Sequence, residues 1–175
     1  MFMKHYYSMK RSDIFWNRKG ELERVRLALR RNGFGFVTGR RRIGKTALLT
    51  KACKKFGGFY HQAVEGTPEQ QLIHLSEEIG RRMPIFREVV PKSWNEFFRL
   101  LSKERLPSLM VFDEFPYWVQ GDQVLPSLFQ KWADHDLPRQ KSLILVSGSS
   151  QSMLDSQFLR QGSPLYGRAS VHLRL

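Results

Sequence analysis

Residues 39–46 form a glycine-bounded segment, Gly-Arg-Arg-Arg-Ile-Gly-Lys-Thr, that fits the pattern G-x-x-x-x-G-K-[ST]. Glycine permits the backbone torsions that turn amide N–H groups inward around an anion. We expect Lys45 to reach the β- and γ-phosphates of a nucleotide, and the hydroxyl of Thr46 to coordinate Mg²⁺. The segment predicts a site for a nucleoside triphosphate, ATP in our interpretation, rather than a basic turn that merely opens a helix. The residues predicted to bind nucleotide here are Gly39, Arg40, Arg41, Arg42, Ile43, Gly44, Lys45, Thr46 and Ala47.

Two adjacent carboxylates, Asp113 and Glu114, follow the apolar run 109–112. An apolar strand that ends in such a pair is the Walker B pattern, in which Asp113 would hold Mg²⁺ through water. Glu114 would orient and polarise the water that attacks the γ-phosphate. The alternative is that both acids merely end a strand, but their position downstream of the phosphate loop favours catalysis. A glutamate directly after the aspartate also favours ATP hydrolysis over nucleotide binding alone.

A third candidate is the polar segment 147–150, Ser-Gly-Ser-Ser, which follows the apolar run 143–146. A side chain at the end of this strand could meet the γ-phosphate or the attacking water. Ser147 and Ser149 are both candidates for that contact. A simple Gly/Ser turn is the alternative interpretation.

Five apolar runs alternate with segments of helical periodicity, which predicts βαβ units. We predict strands at 34–38, 59–64, 108–112, 143–146 and 170–175. We predict helices at 21–31, 45–55, 68–82, 93–105, 125–134 and 153–159. Thr67 before Pro68, and Ser93 three residues before Glu96, are typical helix starts. The pattern predicts an α/β fold with a five-stranded, mainly parallel sheet and helices on both faces.

Positive charge is concentrated in the first third of the chain. The sequence has 29 Lys and Arg against 16 Asp and Glu, a net charge of +13. Residues 1–60 contain 16 basic and 3 acidic residues, whereas the rest contains 13 of each. A basic region suits a polyanion, such as a nucleotide, DNA or another nucleic acid, or an acidic membrane surface. The alternative is a solvated basic face.

The single cysteine, Cys53, excludes an intrachain disulfide bond and suits a reducing, cytoplasmic environment. Lysines beside it could lower its pKa, but we interpret it as a small packing residue. No apolar run approaches the roughly 20 residues of a membrane-spanning helix. The aromatic and basic N-terminus does not fit a secretory signal.

Several motifs together resemble the N-terminal ATPase core of the archaeal-type ATPase family, within the AAA+/STAND group of P-loop ATPases. Their order and spacing fit the family from about residue 11 to residue 175. The matching segments are Phe15-Trp16-Asn17-Arg18, Glu21-Leu22, residues 39–49, Phe112-Asp113-Glu114-Phe115-Pro116, Gly148-Ser149-Ser150 and residues 163–168.

The resemblance implies a P-loop NTPase with an AAA+-like three-layer α/β/α architecture and the phosphate-loop strand central. It places Phe15, Trp16, Asn17 and Arg18 beside the adenine and ribose. It makes Arg168 a candidate arginine finger or sensor, in cis or across subunits, with a surface residue in a turn as the alternative. We expect residues 1–12 to form a basic tail and 13–175 an ATPase core without the lid and C-terminal region usual in the family.

The function predicted from these residues is Mg²⁺-dependent ATP hydrolysis by a core whose output depends on a missing or separate partner. A homo-oligomer and a separate C-terminal partner are the two assemblies we consider. The alternative is a basic nucleic-acid-binding module with residual or no ATPase activity. Aromatic residues interleaved with the N-terminal basic residues support that alternative. A kinase acting on a small acceptor is disfavoured, because the role of Glu114 would be to activate water.

Overall fold

The computed structural model describes residues 18–175, except for the side chain of Gln151. The strands are β1 (Gly33–Thr38), β2 (Phe59–Gln62), β3 (Leu109–Asp113), β4 (Leu143–Ser147) and β5 (Val171–Arg174). The helices are α1 (Lys19–Leu29), α2 (Lys45–Phe56), α3 (Pro68–Ile79), α4 (Ile85–Glu88), α5 (Trp94–Leu101), α6 (Pro116–Gly121), α7 (Leu125–His135) and α8 (Gln151–Phe158). A short 3₁₀ helix (Leu137–Arg139) follows α7.

The five strands form one sheet in the order β2-β3-β4-β1-β5, and every neighbouring pair is parallel. Each crossover between consecutive strands contains at least one helix, as is usual for parallel pairing. The strand β1 lies between β4 and β5 and is therefore interior. The middle position belongs to β4, however, so the predicted central position of the phosphate-loop strand is wrong by one place. The predicted α/β fold with five parallel strands is confirmed.

Helices cover both faces of the sheet. On one face, α1 and α2 pack aliphatic side chains against β1, β3, β4 and β5. On the other face, helices α3 to α8 contribute to a cluster rich in aromatic residues. Alternate residues of each strand face opposite clusters, as the period of two in a strand requires. This arrangement confirms the predicted three-layer architecture. None of the helices within residues 18–175 has the length and apolar character needed to cross a bilayer.

Helix boundaries depart from the predictions where side chains occupy backbone groups. Helix α3 ends at Ile79 instead of near residue 82, and the guanidinium of Arg87 donates to the carbonyl of Gly80 (2.6 Å). Helix α5 ends at Leu101 instead of near residue 105, and the hydroxyl of Ser102 donates to the carbonyl of Phe98 (2.8 Å). These carbonyls accept side-chain bonds at the points where the helices stop.

The two predicted helix starts differ in detail. At α3, Thr67 and Gln70 exchange both hydrogen bonds of a capping box. At α5, the hydroxyl of Ser93 accepts from the Glu96 amide (3.2 Å), as predicted. The Glu96 carboxylate, however, accepts from the amide of Lys92 (2.9 Å), one residue before the cap. The reciprocal bond predicted at Ser93 is therefore displaced by one residue.

Cys53 lies inside the α1/α2 side of the core. Its thiol is buried and contacts the carbonyl oxygen of Phe59 at 3.3 Å. Burial raises the pKa of this thiol to about 12. A thiol with that pKa stays protonated near neutral pH, which agrees with a packing role.

Candidate functional site

The loop between β1 and α2 has two residues in the left-handed backbone region. Gly44 has φ 91° and Arg42 has φ 64°. A Cβ atom at Gly44 would meet no other atom within 4 Å, so the requirement for glycine there is torsional and not steric. The loop with these torsions leads directly into the first turn of α2. That turn leaves backbone N–H groups without helical partners, which suits an anion.

Lys45 lies within this loop, although it carries a charge. Its side chain is buried, and the residue is only 7% exposed. Its ammonium donates to the carbonyl oxygens of Gly39 (2.8 Å) and Arg40 (3.2 Å). Burying a charge is costly unless it is hydrogen-bonded, and the loop carbonyls supply those bonds. The ammonium is therefore held at the position where the loop closes around an anion.

Asp113 is almost completely buried, with 1% of its surface exposed, and three donors satisfy its carboxylate. Oδ2 accepts from the hydroxyl of Thr46 (2.7 Å) and from the hydroxyl of Tyr60 (2.9 Å). Oδ1 accepts from the backbone N–H of Glu114 (3.0 Å). Burial, followed by the charge of Asp113, raises the pKa of Tyr60, so its hydroxyl stays protonated and donates. The structure thus joins the predicted residues Thr46 and Asp113.

Glu114 is joined to the end of β4. Its backbone has φ 55°, a left-handed conformation that is unusual for a residue other than glycine. Its Oε2 accepts from the amide (2.9 Å) and the hydroxyl (3.0 Å) of Ser149. Close packing aids this contact, because a Cβ at Gly148 would lie 2.6 Å from Cδ of Pro116. Of the two candidate serines, the structure brings Ser149 to Glu114, whereas the Ser147 hydroxyl is buried without a hydrogen-bond partner among the described residues.

The phosphate loop, Glu114 and Ser149 line one open cavity of about 670 Å³ at the carboxyl ends of the strands. Small-molecule pockets usually have volumes of about 300–1,000 Å³, and those of α/β proteins usually lie at this edge of the sheet. The lining residues are Arg41, Arg42, Gly44, Lys45, Thr46, Ala47, Gln62, Glu114, Tyr117 and Ser149. Most of the predicted nucleotide-binding residues are therefore brought together. Gly39 and Arg40 contribute carbonyls to Lys45 instead of lining the cavity.

Three residues at this site, Tyr60, Gln62 and Tyr117, were not predicted from the sequence. Tyr60 and Gln62 lie on β2, and Gln62 is in register with Asp113. Strand alternation alone indicates that Tyr60 and Gln62 share a face. It does not indicate that β2 pairs with β3, so the contact of Tyr60 with Asp113 could not be predicted from the sequence. Tyr117 lies on α6, a short helix that was not predicted.

The two predicted arginines outside the loop lie in different places. Arg18 donates to the carbonyl of Ile43 in the phosphate loop (2.8 Å) and pairs with Glu21 (2.6 Å). Arg168 donates through Nε to both carboxylate oxygens of Asp134 (3.0 Å each) and is not among the residues that line the cavity. Its role as an arginine finger stays a prediction. The predictions for Phe15, Trp16 and Asn17 fall outside the described residues.

Metal ligands at this site are few but suitable. The Thr46 hydroxyl and the Asp113 carboxylate are hard oxygen donors, which Mg²⁺ prefers. Residues 18–175 contain no group of three or more His, Cys, Asp or Glu side chains that could hold a metal ion. Mg²⁺ bound by one or two protein oxygens takes its other ligands from water and substrate phosphates. The residues therefore fit a cation that arrives with a nucleotide.

Known structures share this fold. The Walker-type ATPase of Pyrococcus abyssi matches with a TM-score of 0.69 and 24% identity, over 94% of this chain and 54% of that one. The ORC2 protein of Aeropyrum pernix, solved in ADPNP–ADP complexes, matches with a TM-score of 0.61 and 22% identity, over 90% and 47%. Cdc6p of Pyrobaculum aerophilum matches with a TM-score of 0.61 and 18% identity, over 98% and 47%. At these identities the similarity shows the fold.

Sequence comparison adds the family. An uncharacterized protein of Methanocaldococcus jannaschii is 33% identical over 164 residues, which make up 93% of this chain. The matched region spans 36% of the length of that relative. The model of a family described as an ATPase domain predominantly from Archaea matches residues 15–174. Because this match covers nearly the whole chain, the protein belongs to that family of archaeal ATPase domains.

Proposed function

We propose that the chain binds ATP together with Mg²⁺ and hydrolyses it to ADP and phosphate. The observation that carries the proposal is the single cavity lined by the phosphate loop, Glu114 and Ser149. A loop that binds phosphate and a fixed carboxylate across from it are the two parts that hydrolysis needs. The family, whose members are ATPase domains, supports the same reaction.

Nucleotide binding rests on groups that the loop already presents. The ammonium of Lys45 would exchange its bonds to the Gly39 and Arg40 carbonyls for bonds to the β- and γ-phosphates. Arg41 and Arg42 also line the cavity and add positive charge near a triphosphate. The N-terminus of α2 adds its amides and its dipole. We expect Arg18 to support the loop through its bond to Ile43.

Thr46 and Asp113 would hold Mg²⁺, directly in the first case and through water in the second. When bound, this cation neutralises charge that develops on the β- and γ-phosphate oxygens. The chain contributes a buried carboxylate that is already hydrogen-bonded by three donors. Its geometry is therefore set before the nucleotide arrives.

Glu114 is the proposed general base. Ser149 fixes one of its carboxylate oxygens, and the other can accept a hydrogen bond from water. As the water oxygen attacks the γ-phosphorus, its proton passes to Glu114. The bond from that phosphorus to the bridging oxygen breaks, and the electron pair leaves with ADP. Lys45 and the loop amides would stabilise the charge that develops on the departing phosphate.

The variant Glu114→Gln tests this assignment. We expect it to retain ATP binding and to lower the rate of phosphate release by about 10²–10⁴-fold, since positioned general bases contribute that much. Single-turnover phosphate release and ATP retention on a filter measure the two properties. The exposed residue Glu77 provides a matched control, Glu77→Gln, which should behave like the wild type. Unchanged phosphate release in Glu114→Gln would exclude Glu114 as the base.

A second candidate function is binding of DNA. Helices α1 and α2 pack side by side on one face, and their exposed basic side chains include Arg24, Arg30, Arg31, Lys54 and Lys55. DNA affinity that falls with salt concentration and survives Lys45→Ala would support this role. The slope is that of the logarithm of the DNA-binding constant against the logarithm of salt concentration. Removing one phosphate-contacting residue should lower its magnitude by about 1. A slope that is unchanged in Arg30→Ala and Arg31→Ala would exclude this surface.

A further inference from the structure

We propose that Tyr60 is a positioning residue for the divalent cation, and that it acts by holding the Asp113 carboxylate in place. The inference rests on the proposed function, since it assigns a role to a residue behind the predicted metal ligands. Tyr60 belongs to none of the phosphate-loop and carboxylate motifs, and it lies on the edge strand β2.

The strand register explains how Tyr60 reaches Asp113. Strands β2 and β3 are parallel, with Tyr60 opposite Val111 and Gln62 opposite Asp113. Tyr60 and Asp113 are therefore diagonal neighbours on the same face of the sheet. Diagonal neighbours are close enough for long aromatic side chains to contact. The hydroxyl of Tyr60 donates to Oδ2 of Asp113 at 2.9 Å.

Tyr60 complements the other two donors to Asp113. The backbone amide of Glu114 holds Oδ1, while the hydroxyls of Thr46 and Tyr60 share Oδ2. The Thr46 hydroxyl is also the predicted direct ligand of the cation, whereas Tyr60 has no second role at the site. Tyr60 approaches from β2, and its ring packs against the aliphatic core. It is thus the side-chain donor that can keep the carboxylate oriented with and without the cation.

Fixing a carboxylate in advance raises its affinity for a cation. Groups that hydrogen-bond to metal ligands typically change metal affinity by about 10–100-fold when they are removed. A purely structural role predicts a different result, because the ring of Tyr60 would be the part that matters. The variant Tyr60→Phe separates the two roles, since it keeps the ring and removes the donor.

The test uses Mn²⁺ as the metal probe and a non-hydrolysable ATP analogue as the nucleotide. Free Mn²⁺ is followed by electron paramagnetic resonance, and analogue binding is also measured in EDTA. We expect Tyr60→Phe to weaken Mn²⁺ binding in the ternary complex by about 10–100-fold. Its affinity for the analogue without metal should match that of the wild type. The matched control is Tyr166→Phe, at a tyrosine that is 47% exposed and outside the cavity lining.

A double-mutant cycle sharpens the test. If Tyr60 acts only through Asp113, adding Tyr60→Phe to Asp113→Ala leaves Mn²⁺ affinity unchanged. Wild-type Mn²⁺ affinity in Tyr60→Phe would overturn the inference and leave the proposed function intact. Equal losses with and without metal would also overturn it, because they indicate a distorted site. Failure of the wild type to bind the analogue at all would overturn the proposed function and the inference with it. Thermal melting without ligands checks that each variant folds.

Discussion

The face of the sheet that carries α1 and α2 is packed with aliphatic residues, whereas the opposite face is packed with aromatic ones. The buried members of the first cluster are Leu, Val, Ala and Cys. The second cluster contains phenylalanine and tryptophan rings from strands and helices, among them Phe36, Phe112, Trp118, Phe129 and Phe158. Large rings bury the most surface and contribute most to stability. The small side chains under α2 allow this helix to lie close to the sheet, and the hydroxyl of Thr46 donates directly to the Asp113 carboxylate.

We infer that the two faces of the sheet have different roles. Aromatic packing stabilises the sheet, and the aliphatic face positions the first turn of α2 against the end of β3. A change in the aromatic cluster should lower the free energy of unfolding and leave the site intact in molecules that remain folded. A change under α2 should also affect the site.

The largest effect is expected in the aromatic cluster. The ring centroid of Phe129 lies 5.3–5.9 Å from those of Phe34, Phe98, Phe115 and Trp132. Phe129→Ala should lower the free energy of unfolding by about 3–5 kcal/mol. Leu48→Ala, in α2, should cost about 2–5 kcal/mol and also weaken ATP binding, since Leu48 packs α2 onto the sheet. Urea denaturation and ATP titration measure both. Normal ATP affinity in Leu48→Ala would contradict the inference that packing under α2 positions the site.

A smaller effect, confined to binding, is expected at Lys45. Its ammonium bonds only to loop carbonyls in the contacts described, so Lys45→Ala should leave the free energy of unfolding nearly unchanged. Loss of a hydrogen bond to a charged group costs about 1.5–3 kcal/mol, which corresponds to about 10–150-fold in ATP affinity. Lys131→Ala, at an exposed lysine of α7, is the control. Equal ATP affinities in the two variants would place the phosphates elsewhere.

Ser149 and Ser147 provide a matched pair with a still smaller effect. Ser149→Ala removes one of two hydrogen bonds to Glu114, so phosphate release should slow by roughly fivefold, equivalent to about 1 kcal/mol. Ser147→Ala removes a buried hydroxyl without a partner among the described residues and should leave the rate unchanged. Steady-state phosphate release compares the two. A slower Ser147→Ala with a normal Ser149→Ala would reverse our assignment.

The smallest effect is a pH dependence of the free energy of unfolding, caused by two histidines on the aromatic face. Burial lowers the pKa values of His61 and His172 from 6.5, while the neighbouring carboxylates of Glu78 and Asp155 partly oppose this. Between the folded and unfolded pKa values, the unfolded chain binds more protons, so the free energy of unfolding falls as pH drops below about 6.5. Replacing both histidines by glutamine should remove this slope, and His135→Gln should keep it. An unchanged slope in the double variant would contradict the assignment.

The sequence predicted the parts of the site that depend on local spacing. The phosphate loop, Asp113 and Glu114 were identified because their residue types follow predicted strands. Tyr60 could not be identified, because its role depends on the pairing of β2 with β3. The position of Arg168 beside Asp134 likewise depends on where α7 packs.

Secondary structure was likewise predicted where it depends on local pattern and missed where it depends on tertiary packing. The longer elements were predicted because their apolar periodicity extends over whole turns or strands. Helix α6 has only six residues, and short helices depend on tertiary packing, here through the buried ring of Trp118. The ends of α3 and α5 were missed because both helices continue into i→i−3 turns, at 81–82 and 103–104, that apolar periodicity does not reveal.

The most direct test of the account is thermal unfolding of the wild type with millimolar ATP, in Mg²⁺ and in EDTA. A ligand that binds only the native state at 100 times its Kd stabilises it by about 2.7 kcal/mol. We predict a rise in Tm with ATP and Mg²⁺, a smaller rise with ATP in EDTA, and almost no rise for Lys45→Ala. The same Tm with and without ATP in the wild type would contradict the claim that this cavity binds nucleotide.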